Sequence, residues 1–177
     1  FMTTSFSLRT LSRDDILHDL PALSEILASC VNGGASVSFM LPFAPQTAIT
    51  FWQRTADSVA AGERIVLAAF DAEERPVGTV QLITSQPESQ HHRADVAKLL
   101  VHQNVRRQGI AQALMSELER IARRERKTVL VLDTATGSGA EQFYARCGWE
   151  KVGEIPRYAL MPVGEMTATS LFYKFLP

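Results

Sequence analysis

Asp95-Val96-Ala97-Lys98-Leu99-Leu100-Val101-His102-Gln103-Asn104-Val105-Arg106-Arg107-Gln108-Gly109-Ile110-Ala111 is the stretch from which the fold is read. Residues 96–101 read as a strand, the next few as a tight turn, and residues 109–124 as a helix. Ile110, Ala111, Leu114, Met115, Leu118, Ile121 and Ala122 form one apolar helical face. The first turn of a helix has four N–H groups without intrahelical partners, and the macrodipole makes that end partly positive. A phosphate placed there is held by the backbone itself. Gly109 and Ala111 are small enough for that backbone to come close to a ligand. Arg106 and Arg107 add charge and forked donors. The stretch therefore predicts a cradle for the diphosphate of a coenzyme. On this string alone, an ordinary strand–helix connection with solvated arginines accounts for the residues equally well.

The sequence downstream favours the cradle. Thr128-Val129-Leu130-Val131-Leu132 is apolar and β-branched, as in a strand covered on both faces. Strand, helix and strand at this spacing predict a right-handed parallel crossover. Ligands of such units bind beyond the carboxyl ends of the strands, where Asp133-Thr134 falls. A short helix over residues 140–147 and strands over 149–155 and 167–175 complete the chain.

Upstream, residues 6–11 alternate as a first strand. Asp14 and Asp15 favour a helix start, and Pro21 suits the first turn of that helix's main part. Leu23, Ile26, Leu27, Cys30 and Val31 give its buried stripe, and Asn32-Gly33-Gly34 its stop. A small-residue loop over residues 33–40 is either a connector or a wall of a second-substrate pocket. Another helix is predicted over residues 46–61. Residues 64–70 and 76–83 read as a hairpin, and residues 85–93 as a polar loop containing Pro87.

Composition limits the function classes. The chain has 177 residues, 46% hydrophobic and 21% charged, with a formal net charge of -1. Nothing in that balance argues for a nucleic-acid partner or an anionic membrane surface. No apolar run approaches the roughly 20 residues that span a bilayer. Two cysteines make no disulfide framework, so reduced thiols and a cytoplasmic location are expected. No cluster of His, Cys and carboxylates has metal-ligand spacing, so no metal is expected. Phe1 precedes Met2 and is expected to lie outside the natural chain.

Two blocks carry a resemblance. Arg106-Arg107-Gln108-Gly109-Ile110-Ala111 resembles the Q/R-x-x-G-x-G/A turn of the GNAT superfamily of N-acetyltransferases. Ala140-Glu141-Gln142-Phe143-Tyr144-Ala145-Arg146-Cys147-Gly148-Trp149 resembles that superfamily's helix ending in F-Y-x-x-x-G-F/W. Within it, residues 33–40, the strand from Arg93 to Val101, Leu132-Asp133-Thr134, Val152-Gly153-Glu154-Ile155-Pro156, Tyr158 and Phe172-Tyr173-Lys174 are most similar to the tabtoxin-resistance acetyltransferases.

The resemblance implies an α/β (α+β) protein. Residues 2–177 would form one acetyltransferase domain, with a mixed, splayed, mostly antiparallel sheet of about seven strands and about four helices. It implies acetyl-CoA bound between the fourth and fifth strands, on Leu99, Leu100, Val101, Arg106, Arg107, Gln108, Gly109, Ile110, Ala111 and Tyr144. Transfer would go to a primary amine of a small molecule, such as an amino-acid-like toxin or antibiotic, by direct attack. The acceptor side would use Gly34, Ser36, Phe39, Asp95 and Tyr158. The same resemblance allows a homodimer, a peptide or protein N-acetyltransferase, or an acetyl-CoA-binding module without catalysis.

An attacking alkylammonium, with a pKa of about 10, must first lose a proton. Asp133 and Asp95 are the candidate bases, with Glu141 a weaker third. The resemblance gives Tyr144 the role of donor to the leaving thiolate. A covalent route through Cys147 lacks an activating His/Asp arrangement.

Overall fold

The computed structural model describes residues 5–177, so the expectation for Phe1 falls outside the described residues. β1 (Ser7–Thr10) leads into α1 (Arg13–His18) and α2 (Leu20–Asn32). Ser12 and Asp15 cap α1 reciprocally: the Asp15 N–H donates to Ser12 Oγ at 3.1 Å and the Ser12 N–H to Asp15 Oδ2 at 2.9 Å. Pro21 has no N–H to continue that ladder, so the helical region restarts as α2. This division brings the helices to five. α3 (Pro45–Ala60), β2 (Arg64–Phe70) and β3 (Pro76–Ile83) follow, then β4 (Arg93–Val101), α4 (Ile110–Arg124), β5 (Val129–Ala135), α5 (Gly139–Arg146), β6 (Glu150–Leu160) and β7 (Met166–Phe175).

The seven strands form one sheet in the order β1-β2-β3-β4-β5-β7-β6, and only β4 and β5 run parallel. α1, α2 and α3 cover one face, burying Ile16, Leu23, Leu27 and Trp52 against Val66, Ala68, Phe70 and Leu100. α4 covers the other, with Ile110, Leu114 and Leu118 against Val80, Leu82, Ala94 and Val96. No helix among the described residues is long and apolar enough to cross a membrane.

Three boundaries differ from the sequence expectation by three residues or more, each with a local cause. β4 begins at Arg93, three residues before the apolar run, because Arg93 and Asp95 alternate with buried Ala94 and Val96. Those added residues make the whole parallel pairing: Arg93 with Val129, Ala94 with Leu130 and Asp95 with Val131. β5 continues to Ala135, so Asp133 and Thr134 lie within the strand, opposite Leu171 and Ser170 of β7. β6 runs to Leu160, past Pro156. An irregularity between Ile155 and Ala159, with Arg157 at φ 51°, absorbs the proline on this outermost strand.

Beyond Asp95 and Val131 the parallel strands separate, since no later residues of β4 and β5 pair. A bulge shapes the free part of β4. Thr79 pairs with Leu100 and Gln81 with Ala97, so Val80 alone faces Lys98 and Leu99. Lys98 takes φ 55° there. On the next strand, Gly78 lets α4 start close to the sheet. A Cβ on Gly78 would meet Ile110 Cγ2 at 3.1 Å and the Leu100 carbonyl oxygen at 3.2 Å.

Candidate active site

The turn before α4 is fixed to α2. Gln103 opens a single 3-10 turn, Gln103–Val105; its N–H donates to Ser29 Oγ at 3.2 Å and its Nε2 to the Ser29 carbonyl at 2.8 Å. The chain then turns through two left-handed residues, Arg107 at φ 66° and Gly109 at φ 78°. Nothing lies within 4 Å of where a Gly109 Cβ would stand, so the approach to the helix start is open. The helical ladder begins with the Ala113 N–H on the Gly109 carbonyl. The N–H groups of Ile110, Ala111 and Gln112 come before it and have no backbone partner among the described residues. Arg106 and Arg107 are exposed, and Gln108 Oε1 is buried without a partner. Free helix N–H groups beside two guanidinium groups fit a diphosphate, while the Gln108 oxygen, itself an acceptor, adds no donor to it. Arg106 also lies beside Cys30. Burial pushes that thiol up, and the Arg106 charge works against the shift.

The opening between β4 and β5 starts where their pairing stops. Leu99 and Val101 are half-buried against the α4-side core, while Leu100 is buried on the α2 side. The Val101 carbonyl accepts from Cys30 Sγ at 3.4 Å. Tyr144 enters from α5. Its ring is 8% exposed and packs on Phe143, Phe172 and Trp149 at centroid distances of 5.3, 6.0 and 6.1 Å. Burial first, then Cys147 and the charge of Asp133, push its hydroxyl up to about 12. Tyr144 therefore stays a proton donor across the physiological range.

The candidate bases are held differently. Both oxygens of Asp95 are engaged: Arg93 donates to Oδ1 at 2.5 Å and Gln86 Nε2 to Oδ2 at 3.0 Å. Arg93 is itself held by Gln86 and Gln90. Asp133 is exposed and accepts from Thr169 Oγ1 at 2.8 Å on Oδ2. Glu141 accepts from the Gly137 N–H at 2.8 Å and pairs with Lys151 at 3.1 Å. Hydrogen bonds from Ser170 and Gly137, with Lys151, hold its carboxyl low. Burial pushes the Cys147 thiol up, away from the nucleophilic thiolate. Cys30 and Cys147 are both free.

The loop after α2 passes through left-handed Gly34 (φ 91°) and Ser38 (φ 78°). Its Leu41 N–H donates to the Pro162 carbonyl at 2.9 Å, tying it to the turn between β6 and β7. Ser36 is half-buried, and Phe39 packs on Phe43 and Phe51 at 5.2 and 5.7 Å. Tyr158 is 54% exposed on β6, with β7 between its strand and Asp133.

Lys98 was not singled out from sequence, yet it lies in this region. Its Nζ donates to Ser38 Oγ at 3.3 Å, and the charge of Asp133 acts on it. A lysine inside the otherwise apolar run 96–101 is the sequence signal that marks it. Among the described residues no group of three or more His, Cys, Asp or Glu is arranged to hold a metal.

Residues 27–149 match the family model described as the acetyltransferase (GNAT) family. Solved structures share the fold. Ribosomal-protein-alanine N-acetyltransferase from Brucella melitensis matches with TM-score 0.76 at 22% identity, covering 96% of this chain and 99% of that one. The yncA protein from Salmonella typhimurium, assigned as an acetyltransferase and solved with its cofactor acetyl-CoA, matches with TM-score 0.78 at 15% identity, covering 98% and 95%. A protein assigned as a phosphinothricin N-acetyltransferase matches with TM-score 0.77 at 18% identity, covering 98% and 99%.

Proposed function

The chain belongs to the acetyltransferase (GNAT) family, and from that premise we propose that it acetylates the primary amine of a small molecule by direct attack in a ternary complex. One observation carries the reading. The β4–β5 opening has the free N–H groups of α4 on one side and the exposed Asp133 carboxylate, with the Ser38 loop, on the other. Two reactants entering from opposite sides meet there, and proximity is the first contribution to rate.

Acetyl-CoA supplies the acetyl thioester. Residues 106–111 hold its diphosphate, and the free edge of β4 at Leu99, Leu100 and Val101 lies along its pantetheine arm, as in strand addition. Asp133, oriented by Thr169, accepts the ammonium proton. A β4 N–H near Leu100 polarises the carbonyl oxygen. Tyr144 donates a hydrogen bond to the departing sulfur. Asp95 holds the start of β4 through Arg93 and leaves proton removal to Asp133.

The Leu41–Pro162 hydrogen bond joins the loop after α2 to the β6–β7 turn, and a loop held in this way suits a small acceptor in this reading. The resemblance to tabtoxin-resistance acetyltransferases supports an acceptor among amino-acid-like toxins or antibiotics in this reading. The fold neighbour assigned to phosphinothricin supports the same class. Residues 2–177 act as one domain in this reading, and the reduced cysteines suit the cytoplasm. A thiol-release assay over a panel of amines and peptides tests the proposal. Release of CoA with small amines is expected; turnover on peptides alone would replace the reading with a peptide acetyltransferase.

A further inference from the structure

A cavity of about 430 Å³ lies between α3 and the start of β2, and Phe39, Thr47, Phe51, Arg54, Ser58 and Arg64 are among the residues lining it. No Asp or Glu belongs to its lining, and Arg54 and Arg64 do. Arg64 is fixed in place: its Nε donates to Ser58 Oγ at 2.8 Å and one terminal nitrogen to Gln81 Oε1 at 2.7 Å. Ser58 in turn donates to Glu63 Oε1 at 2.7 Å. The other terminal nitrogen of Arg64 has no partner among the described residues. Gln81 is fully buried, and its Nε2 has no hydrogen-bond partner. The free terminal nitrogen of Arg64 thus remains an unfilled donor at the cavity, while Gln81, fully buried and outside the lining, orients the guanidinium from behind.

One wall of the cavity is joined by the chain to the region of Lys98. Phe39 lines the cavity, and the preceding residue, Ser38, receives the hydrogen bond from Lys98. Lys98 lies within the electrostatic reach of both Arg64 and Asp133. Cations therefore occupy the cavity side and a carboxylate the transfer side. We infer that this cavity receives the far end of the acceptor, and that it selects amines carrying a carboxylate, anchored on Arg64 and passed by Lys98 on the way to Asp133. A carboxylate has the planar pair of acceptor oxygens that such donors match. The inference rests on the acetyl-transfer reading and narrows its substrate class.

Burial lowers the Lys98 pKa, with the charge of Asp133 opposing and that of Arg64 adding to the shift. An incoming carboxylate would offset both the burial and the Arg64 repulsion. The same ammonium that is poorly solvated without acceptor is then paired when acceptor is present.

The test compares ω-amino acids of increasing length with their terminal carboxamides, which keep the amine and remove the charge. Wild-type kcat/KM is expected to favour the carboxylate by roughly tenfold to a hundredfold at the best length, the usual effect of a charged hydrogen bond. Arg64→Met should bring that ratio near one while sparing the carboxamide rate, and Arg64→Lys should restore part of it. Should Arg64→Met fail to fold, Arg64→Gln, which keeps a polar group beside Ser58 and Gln81 and removes the charge, gives the same readout. A wild-type ratio near one, or an unchanged ratio in folded Arg64→Met, overturns the inference. Titration of the same compounds, followed by NMR shifts with and without CoA, reads binding without turnover. Carboxylate binding that is lost in Arg64→Met, with no amine acetylated, keeps the cavity assignment and sinks the transfer reading instead. Equal binding of carboxylate and carboxamide sinks the cavity assignment.

Discussion

Thr169 donates its hydroxyl hydrogen to Asp133 Oδ2 at 2.8 Å, from the strand beside the one that carries Asp133. The contact holds one carboxylate oxygen and leaves the other without a partner among the described residues. Asp95, the alternative base, has both oxygens engaged by Arg93 and Gln86. Asp133→Asn is therefore expected to lower kcat by about 10²–10⁴, the usual range for loss of a general base, with coenzyme affinity retained. Asp95→Asn should change kcat only a few-fold. It should lower stability by about 1 kcal/mol or less, since the Arg93–Asp95 pair is partly solvated. Parallel thiol-release kinetics and thermal melts separate the two, and the reverse ranking would move the base to Asp95.

Tyr144 gives a prediction with a definite pH window. Its hydroxyl is pushed up to about 12 in the folded protein, above the ordinary value of 10.0. Well below pH 10 both states keep the proton and stability is unaffected. Between pH 10 and 12 the unfolded chain loses it while the folded one keeps it, so stability falls as pH rises. The loss should reach roughly 2–3 kcal/mol, by the usual value of a pKa unit, and should vanish in Tyr144→Phe. The same substitution should lower kcat with acetyl-CoA affinity retained. An identical alkaline stability decline in both proteins would show that the phenol is not buried as described.

Much of this architecture is legible in residue order. Apolar runs fix β2 and β3 at their observed bounds, and the periodic stripe from Ile110 to Ala122 fixes α4. The features missed from sequence depend on partners remote in the chain. Lys98 reads as a strand residue until the β4 bulge turns it toward Ser38, 60 positions earlier. Gly78 reads as a strand glycine until Ile110 and Leu114 are placed above it. Arg93, two positions from Asp95, is a partner legible in the sequence, and it sets Asp95 apart from Asp133 at the end of a buried strand; Thr169 and Gln86, which complete the distinction, are brought in by pairing and loop closure.

The two glycines around the start of α4 should fail in different ways. Gly109 has open space at its Cβ position but a left-handed φ of 78°. Gly109→Glu should abolish acetyl-CoA binding by filling and repelling the phosphate site. Gly78 has ordinary φ but no room, with contacts at 3.1 and 3.2 Å. Gly78→Val should push α4 from the sheet, destabilising by about 1–3 kcal/mol as overpacking does, and weaken coenzyme binding through displaced N–H groups. Titration calorimetry and melts are the measurements. Near-normal acetyl-CoA affinity in folded Gly109→Glu would overturn the phosphate assignment.

Lys174 links the core to the helix that carries Tyr144. Its ammonium pairs with Glu119 Oε1 at 2.9 Å and donates to the Cys147 carbonyl at 2.6 Å, at the C-terminal end of α5. A cation there complements the helix dipole and satisfies a carbonyl left free by the ladder. The Glu119 side chain is only 10% exposed. Lys174→Met should thus destabilise by about 3–5 kcal/mol, because it leaves a buried carboxylate unpaired. It should also lower kcat, since α5 loses a terminal anchor close to Tyr144. Adding Glu119→Leu removes the unpaired charge and should recover most of the stability, but not the lost contact at Cys147. Denaturant melts of the wild type, both single variants and the double variant measure the coupling. Additive losses would show that the pair is not coupled. Full recovery of kcat in the double variant would show that the Cys147 contact does not position Tyr144.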